Sequence, residues 1–139
     1  MAIRLALVLS IILTVGCAKT VTAPVPGTIN TFDAYAARSI GDAQAALIGA
    51  KTWELCSDGK FQPTVSFDGA MYACDASAGP FPAAGRAILF KAEQSYDLAL
   101  AAAEAYHAGA TGDTTALTAA LAQLGVDIAN VLTGIGKGN

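Results

Sequence analysis

Three stretches of this 139-residue chain carry apolar residues at alternating spacings of three and four, and this periodicity constrains the fold more than any other feature. Such spacing places side chains on one face of an α-helix, so each stretch predicts an amphipathic helix with one face to bury. The apolar positions are Ala36, Ile40, Ala43, Leu47 and Ala50, then Leu89, Ala92, Tyr96, Ala99, Ala103 and Tyr106, then Leu117, Leu121, Leu124, Ile128 and Val131. We therefore predict an all-α fold, an up-down three-helix bundle.

Local signals set the bounds of the predicted helices. Candidate N-terminal caps are Asn30 or Thr31 for the first helix and Thr111, Asp113 or Thr114 for the third. The helical pattern breaks at Lys51, Pro82 suits the first position of the second helix, and Gly109 is a stop signal. The bundle domain is thus predicted over residues 30–133, followed by a loose glycine-rich tail over 134–139.

An excursion from Lys51 to Phe81 separates the first two helices. Its turn signals are Asp58-Gly59, Pro63 and Asp68-Gly69. The run Thr64-Val65-Ser66-Phe67, the second Asp-Gly pair and Ala70-Met71-Tyr72-Ala73 together predict a small β-hairpin. The excursion is therefore expected to be partly a β-hairpin.

Bulky apolar side chains are concentrated in the excursion. The candidates for a partner-binding surface are Trp53, Phe61, Phe67 and Tyr72. Alternatively, these side chains fold inward and cap the bundle. The sequence leaves both interpretations open.

The N-terminus has the layout of an export signal. Arg4 provides a positive charge, and the apolar run from Leu5 to Val15 is too short for a helix of about 20 residues that would span a bilayer. Thr14-Val15-Gly16-Cys17 follows and resembles the lipobox of bacterial lipoprotein precursors. The resemblance covers residues 1–18 only, and Thr14 departs from the Leu or Val that the family favours.

The resemblance implies that residues 1–16 are a signal peptide and that Cys17 receives the lipid. Residues 17–29 would form a lipidated, flexible tether, and Ala18 would favour the outer membrane, facing the periplasm. The membrane would then be a partner through the lipid on Cys17. The alternative is an ordinary secretory leader that is cut after Ala18 and releases a soluble secreted or periplasmic protein.

The three cysteines of the chain fit the lipoprotein interpretation. If Cys17 carries lipid, Cys56 and Cys74 remain as a pair. An exported compartment is oxidising, so we expect these two to form a disulfide that ties the excursion.

Charge and composition argue against two classes of function. After removal of the leader, seven Lys and Arg stand against eleven Asp and Glu, a formal charge of about −4, so nucleic acid is not an expected partner. Glu104 and His107 form an E-x-x-H spacing, but His107 is the only histidine, so neither a dinuclear metal site nor a serine hydrolase is expected. We predict no metal, no cofactor and no enzymatic activity.

The sequence therefore predicts a membrane-anchored envelope lipoprotein that acts as a structural or protein-interaction module, with another envelope protein as a possible partner. The alternative is a binding module for a small apolar ligand held between the helices. A cavity lined by Trp53, Tyr96 and Tyr106 would favour that alternative.

Overall fold

A computed structural model describes residues 31–58, 60–109 and 114–135 of the chain. The predicted signal peptide, Cys17 and the tether lie outside the described residues, as do Gly59, the candidate caps Thr111 and Asp113, and the tail from residue 136 onward.

The described chain is mostly helical. Helices α1 (Thr31–Cys56), α2 (Ala83–His107) and α3 (Thr115–Gly134) each pack against the other two. A two-stranded antiparallel sheet, β1 (Thr64–Phe67) and β2 (Ala70–Ala73), lies between α1 and α2 in the sequence, followed by a short 3-10 helix over Ala76–Ala78. The predicted helical fold with a hairpin between the first two helices is confirmed at this level.

Helix α1 begins at Thr31, as predicted, but the predicted break at Lys51 is wrong. The helix continues through Cys56, because Lys51 and Glu54 form an i,i+3 ion pair of 2.8 Å and Cys56 is buried at the helix end. Trp53 is therefore presented from a helix rather than from a loop. This matters because the helix fixes the direction of its side chain.

The bounds of α2 differ by one residue from the prediction. Pro82 occupies the N-cap position with extended backbone, and the helix starts at Ala83. At the other end the backbone N–H of Ala108 donates to the Glu104 carbonyl at 2.9 Å, and Gly109 has a φ of 71°. Gly109 therefore stops the helix in the left-handed conformation that glycine adopts without strain.

Helix α3 follows Thr114, whose side chain makes no capping hydrogen bond. It includes Gly134, one residue beyond the predicted end of the bundle domain. Ile135 is buried directly after it. Within the described residues, α3 is also the one helix long and apolar enough to span a membrane, a property that it shares with core helices of soluble proteins.

The hairpin agrees residue by residue with the prediction. Asp68 and Gly69 both have positive φ, at 51° and 74°, which is the requirement of a type I′ turn. Val65 opposes Tyr72 across the ladder, and opposed residues project from the same face. Val65 is buried, and β1 packs against α1, so this face of the hairpin is turned toward the helices.

Two hydrophobic clusters form the core. One joins the first part of α1 to the end of α2 and the start of α3, around Tyr106 and Leu117. The other joins the second half of α1 to the start of α2 and the end of α3, around Leu47 and Leu89. Most of the predicted apolar positions are buried, while Tyr96, Ala103 and Ile128 are half-buried.

Candidate functional site

The four predicted partner-binding residues do not form one surface. The half-buried ring of Trp53 packs edge-on against Phe81, with ring centres 5.2 Å apart, beside the second core cluster. The Trp53 indole Nε1 donates to the Gly79 carbonyl at 2.9 Å. Trp53 therefore fastens the end of the excursion to α1.

Phe67 and Tyr72 form a stacked pair on the hairpin. Their ring centres are 4.3 Å apart with an interplanar angle of 18°, and both residues are half-buried. Tyr72 shares a face with the buried Val65. The pair therefore lies on the side of the hairpin that is turned toward α1.

Phe61 is the predicted residue that is clearly exposed, with 54% of its surface accessible. Met71, which neighbours Tyr72 in β2, is 69% exposed. Successive residues of a strand point to opposite faces, so Met71 projects away from the helices. The excursion thus buries some of its aromatic groups and presents others to solvent.

A disulfide joins Cys56, the last residue of α1, to Cys74, which directly follows β2, with a Cα–Cα distance of 5.7 Å. The Cys74 backbone N–H donates to the Pro63 carbonyl at 2.9 Å, and the Gln62 N–H donates to the Cys56 carbonyl at 3.4 Å. The predicted pair is therefore bonded. The disulfide and these two backbone hydrogen bonds together hold both ends of the hairpin at the end of α1.

Two adjacent cavities lie beside the disulfide. The smaller, about 250 Å³, is lined by Trp53, Cys56, Ser57, Phe61, Asp75, Ala76, Gly79 and Pro80. The larger is a groove of about 410 Å³ lined by Ala45, Ile48, Gly49, Thr52, Trp53, Cys56, Tyr72, Ala73, Asp75 and Ala78. We call the larger one the α1–hairpin groove, because one wall comes from α1 and the other from the hairpin and the 3-10 turn.

The α1–hairpin groove has polar groups of two kinds. Thr52 Oγ1 is buried and makes no hydrogen bond to any described residue. The Asp75 side chain is exposed and accepts hydrogen bonds from the Ser77 hydroxyl at 2.6 Å and the Ser77 backbone N–H at 2.8 Å. Those two bonds lower the pKa of Asp75, so its carboxylate is ionised at neutral pH.

An ion-pair network stands beside the excursion. Lys51 pairs with Glu54 at 2.8 Å and with Glu93 at 3.8 Å, while Arg86 pairs with Asp58 at 3.0 Å. The hydrogen bond to Glu54 raises the pKa of Lys51. Two pairs join the end of α1 to the first half of α2, Lys51 with Glu93 and Arg86 with Glu54 at 3.7 Å.

The predicted cavity between helices does not match the two described cavities. Tyr106 is fully buried and packs edge-on against Phe32, with ring centres 5.3 Å apart. Tyr96 packs against both core clusters. Of the three residues predicted to line such a cavity, Trp53 alone lines the cavities beside the disulfide.

His107 lies at the end of α2 with its Nδ1 3.4 Å from Asp33 Oδ2 on α1. Glu104, its partner in the E-x-x-H spacing, is exposed. Within the described ranges, no group of three His, Cys, Asp or Glu residues could hold a metal ion.

The sequence interpretation missed a buried polar cluster. Asp127 on α3 is 1% exposed, and its Oδ2 accepts hydrogen bonds from Ser95 at 2.5 Å and Gln123 at 2.8 Å. Lys91 Nζ lies 3.2 Å from the other oxygen, Oδ1, and forms an ion pair with it. The apolar spacing could have indicated that Asp127 and Ser95 are buried, because each lies three or four residues from buried apolar positions on both sides.

The chain matches no protein-family model, no curated protein and no solved structure.

Proposed function

We propose that this protein is a bacterial envelope lipoprotein that is anchored through lipid on Cys17 and acts as a protein-interaction module rather than an enzyme. Its signal peptide would be residues 1–16, and residues 17–29 would tether the helical domain to the outer membrane, facing the periplasm. The partner would be another protein of the envelope.

The cysteines support the anchoring part of this proposal. Cys56 and Cys74 are bonded to each other, which leaves Cys17 as the third cysteine of the chain. Disulfides persist in exported proteins and are rare in the cytosol of most organisms. Two or more acyl chains on Cys17 would make membrane attachment stable without a spanning helix.

The exposure of Phe61 and Met71 on the disulfide-tied excursion carries the interaction part of the proposal. Their side chains are 54% and 69% exposed, although both are large and apolar. The disulfide and the bond from Trp53 to Gly79 hold the excursion in place before a partner binds. A preorganised apolar surface binds with a smaller loss of conformational entropy.

We also propose that the three helices form an up-down bundle. Asp33, near the start of α1, pairs with His107 at the end of α2, while Lys51 near the end of α1 pairs with Glu93 nearer the start of α2. These contacts support opposite directions for α1 and α2. The connection between α2 and α3, from His107 to Thr115, is short, and short connections favour antiparallel neighbours.

Substitution on the excursion tests the interaction. Phe61→Ser and Met71→Ser should each reduce the yield of a partner crosslinked to the protein in intact cells, because each removes exposed apolar area from the contact. Leu98→Ser is the matched control, since Leu98 is 67% exposed but lies on α2. His107→Ala should also leave the yield unchanged.

The anchoring is tested separately by Cys17→Ala. The proposal expects the variant to leave the membrane fraction while the wild-type protein remains there. Equal membrane retention of the variant and the wild type would contradict lipid anchoring. In the crosslinking experiment, a loss of yield in Leu98→Ser equal to that in Phe61→Ser and Met71→Ser would contradict the assignment of the partner surface.

A further inference from the structure

We propose that the α1–hairpin groove is a binding site for a small organic cation that has an apolar body and a primary ammonium group. This site goes beyond the proposed partner surface, although Phe61 lines the adjacent smaller cavity, which shares Trp53, Cys56 and Asp75 with the groove. Tyr72 lines the groove, whereas Met71 projects from the opposite face of the hairpin.

The volume of the groove and its α1 wall suit a small molecule. Its volume of about 410 Å³ falls within the range of about 300–1,000 Å³ that is usual for small-molecule sites. A Cβ added at Gly49 would meet nothing within 4 Å. The α1 wall, made of Ala45, Ile48 and Gly49, is therefore open and apolar, and it offers contact area to a hydrocarbon or ring.

Charge complementarity selects a cation. Asp75 lies at the mouth of the groove, and its carboxylate forms no ion pair with any described Lys, Arg or His. Its hydrogen bonds come from Ser77 alone, which is neutral. An ammonium group can therefore meet an ionised carboxylate there without displacing a cation of the protein.

Aromatic side chains add to the same preference. Trp53 and Tyr72 both line the groove, and the faces of such rings attract cations through their negative charge density. Trp53 is held by its bond to Gly79, and Tyr72 by its stacking on Phe67. The rings are thus fixed in position before a ligand enters.

Titration with 2-phenylethylamine tests the proposal on the full chain with its disulfide intact. Trp53 is the single tryptophan of the sequence and lines the groove, so its fluorescence reports binding directly. We expect a saturable change with the amine. The neutral 2-phenylethanol should bind about two- to fivefold more weakly, the range of an exposed ion pair, and 3-phenylpropanoate should not bind measurably.

A matched pair of glycine variants locates the site. Gly49→Leu should abolish saturable binding, because the new side chain fills the groove. Gly41→Leu makes the same change on the same helix at a position that is equally open but does not line the groove, so it should bind as the wild type does. Asp75→Asn should weaken amine binding to the level of the neutral alcohol.

Three results with the wild-type protein or with Gly49→Leu would overturn the proposal. They are the absence of saturable binding by the wild-type protein, equal affinity for the amine and the alcohol, and unchanged binding in a folded Gly49→Leu variant. Unchanged amine affinity in Asp75→Asn would also overturn it, even if Gly49→Leu failed to fold. None of these binding measurements tests Phe61 or Met71. A failure of the proposed ligand site can therefore be distinguished from a failure of the proposed partner surface.

Discussion

The Ser95 hydroxyl on α2 donates a 2.5 Å hydrogen bond to the buried Oδ2 of Asp127 on α3. Gln123 donates to the same oxygen at 2.8 Å, and Lys91 reaches Oδ1 at 3.2 Å from a side chain that is 64% exposed. A buried carboxylate is stable only when its oxygens are paired in this way. The cluster therefore favours one alignment of α2 against α3 over slipped alignments.

We expect Ser95→Ala to lower the free energy of unfolding by about 1–3 kcal/mol, because it leaves a buried carboxylate with one donor fewer. Chemical denaturation measures the change. Ser39→Ala is the control, since that hydroxyl bonds only the Tyr35 carbonyl of its own helix, and it should alter stability by less than about 0.5 kcal/mol. Equal effects of the two substitutions would contradict a stabilising role for the Ser95–Asp127 bond.

The same cluster predicts a pH dependence of stability. Burial raises the pKa of Asp127, but the hydrogen bonds from Gln123 and Ser95 and the charge of Lys91 lower it by more, so the net pKa lies below its ordinary value. The stabilisation is therefore present above the unfolded-state pKa of about 3.9 and is lost as pH falls through the folded-state value. Denaturation at a series of pH values should show stability falling below about pH 4.

Asp127→Asn should flatten this acid-side decline, because the residue no longer titrates. Asp97→Asn, an exposed change on α2, serves as the control and should leave most of the decline in place. A profile that is as steep in Asp127→Asn as in the wild type would show that other carboxylates cause the decline.

The disulfide should stabilise the protein mainly by holding the excursion in place. Replacing both Cys56 and Cys74 by Ser should lower the free energy of unfolding by about 3 kcal/mol, the value for a closed loop with a separation of 18 residues. Hydrogen exchange should show loss of protection in β1 and β2 while α2 keeps its protection. Uniform loss of protection over the chain would instead mean that the disulfide stabilises the whole helical core.

Replacing two helical glycines by Ala is expected to change the stability of the protein in opposite directions. Gly125 on α3 has nothing within 4 Å of a new Cβ, so Gly125→Ala should raise stability by about 0.5–1 kcal/mol through helix propensity. At Gly85 the new Cβ would lie 3.0 Å from the Phe81 ring, which packs against Trp53 and cannot easily move. Gly85→Ala should therefore destabilise the protein. Thermal unfolding distinguishes the two signs.

The sequence predicts the parts of this structure that depend on local signals. Asp68-Gly69 specifies its turn through backbone conformation alone, so the hairpin is confirmed at every residue. The apolar spacing likewise predicts which face of each helix is buried. Gly109 ends α2 for an equally local reason, its positive φ.

The remaining features depend on contacts between distant segments. Helix α1 continues past Lys51 to Cys56, and within this last part Trp53 packs on Phe81, a contact with a distant segment that no local pattern shows. The pairing of Ser95 with Asp127 also requires the relative position of two helices. The α1–hairpin groove was missed for the same reason, because its walls are far apart in the sequence.

We propose that Cys17 is lipidated and that Cys56 and Cys74 are bonded in the protein as its host makes it. Intact mass spectrometry of protein extracted with detergent from the membrane fraction, before and after reduction, tests both parts. We expect a species that begins at Cys17 and carries two or three acyl chains, with a gain of about 2 Da on reduction. A soluble species that begins at Lys19 and carries no lipid would contradict it.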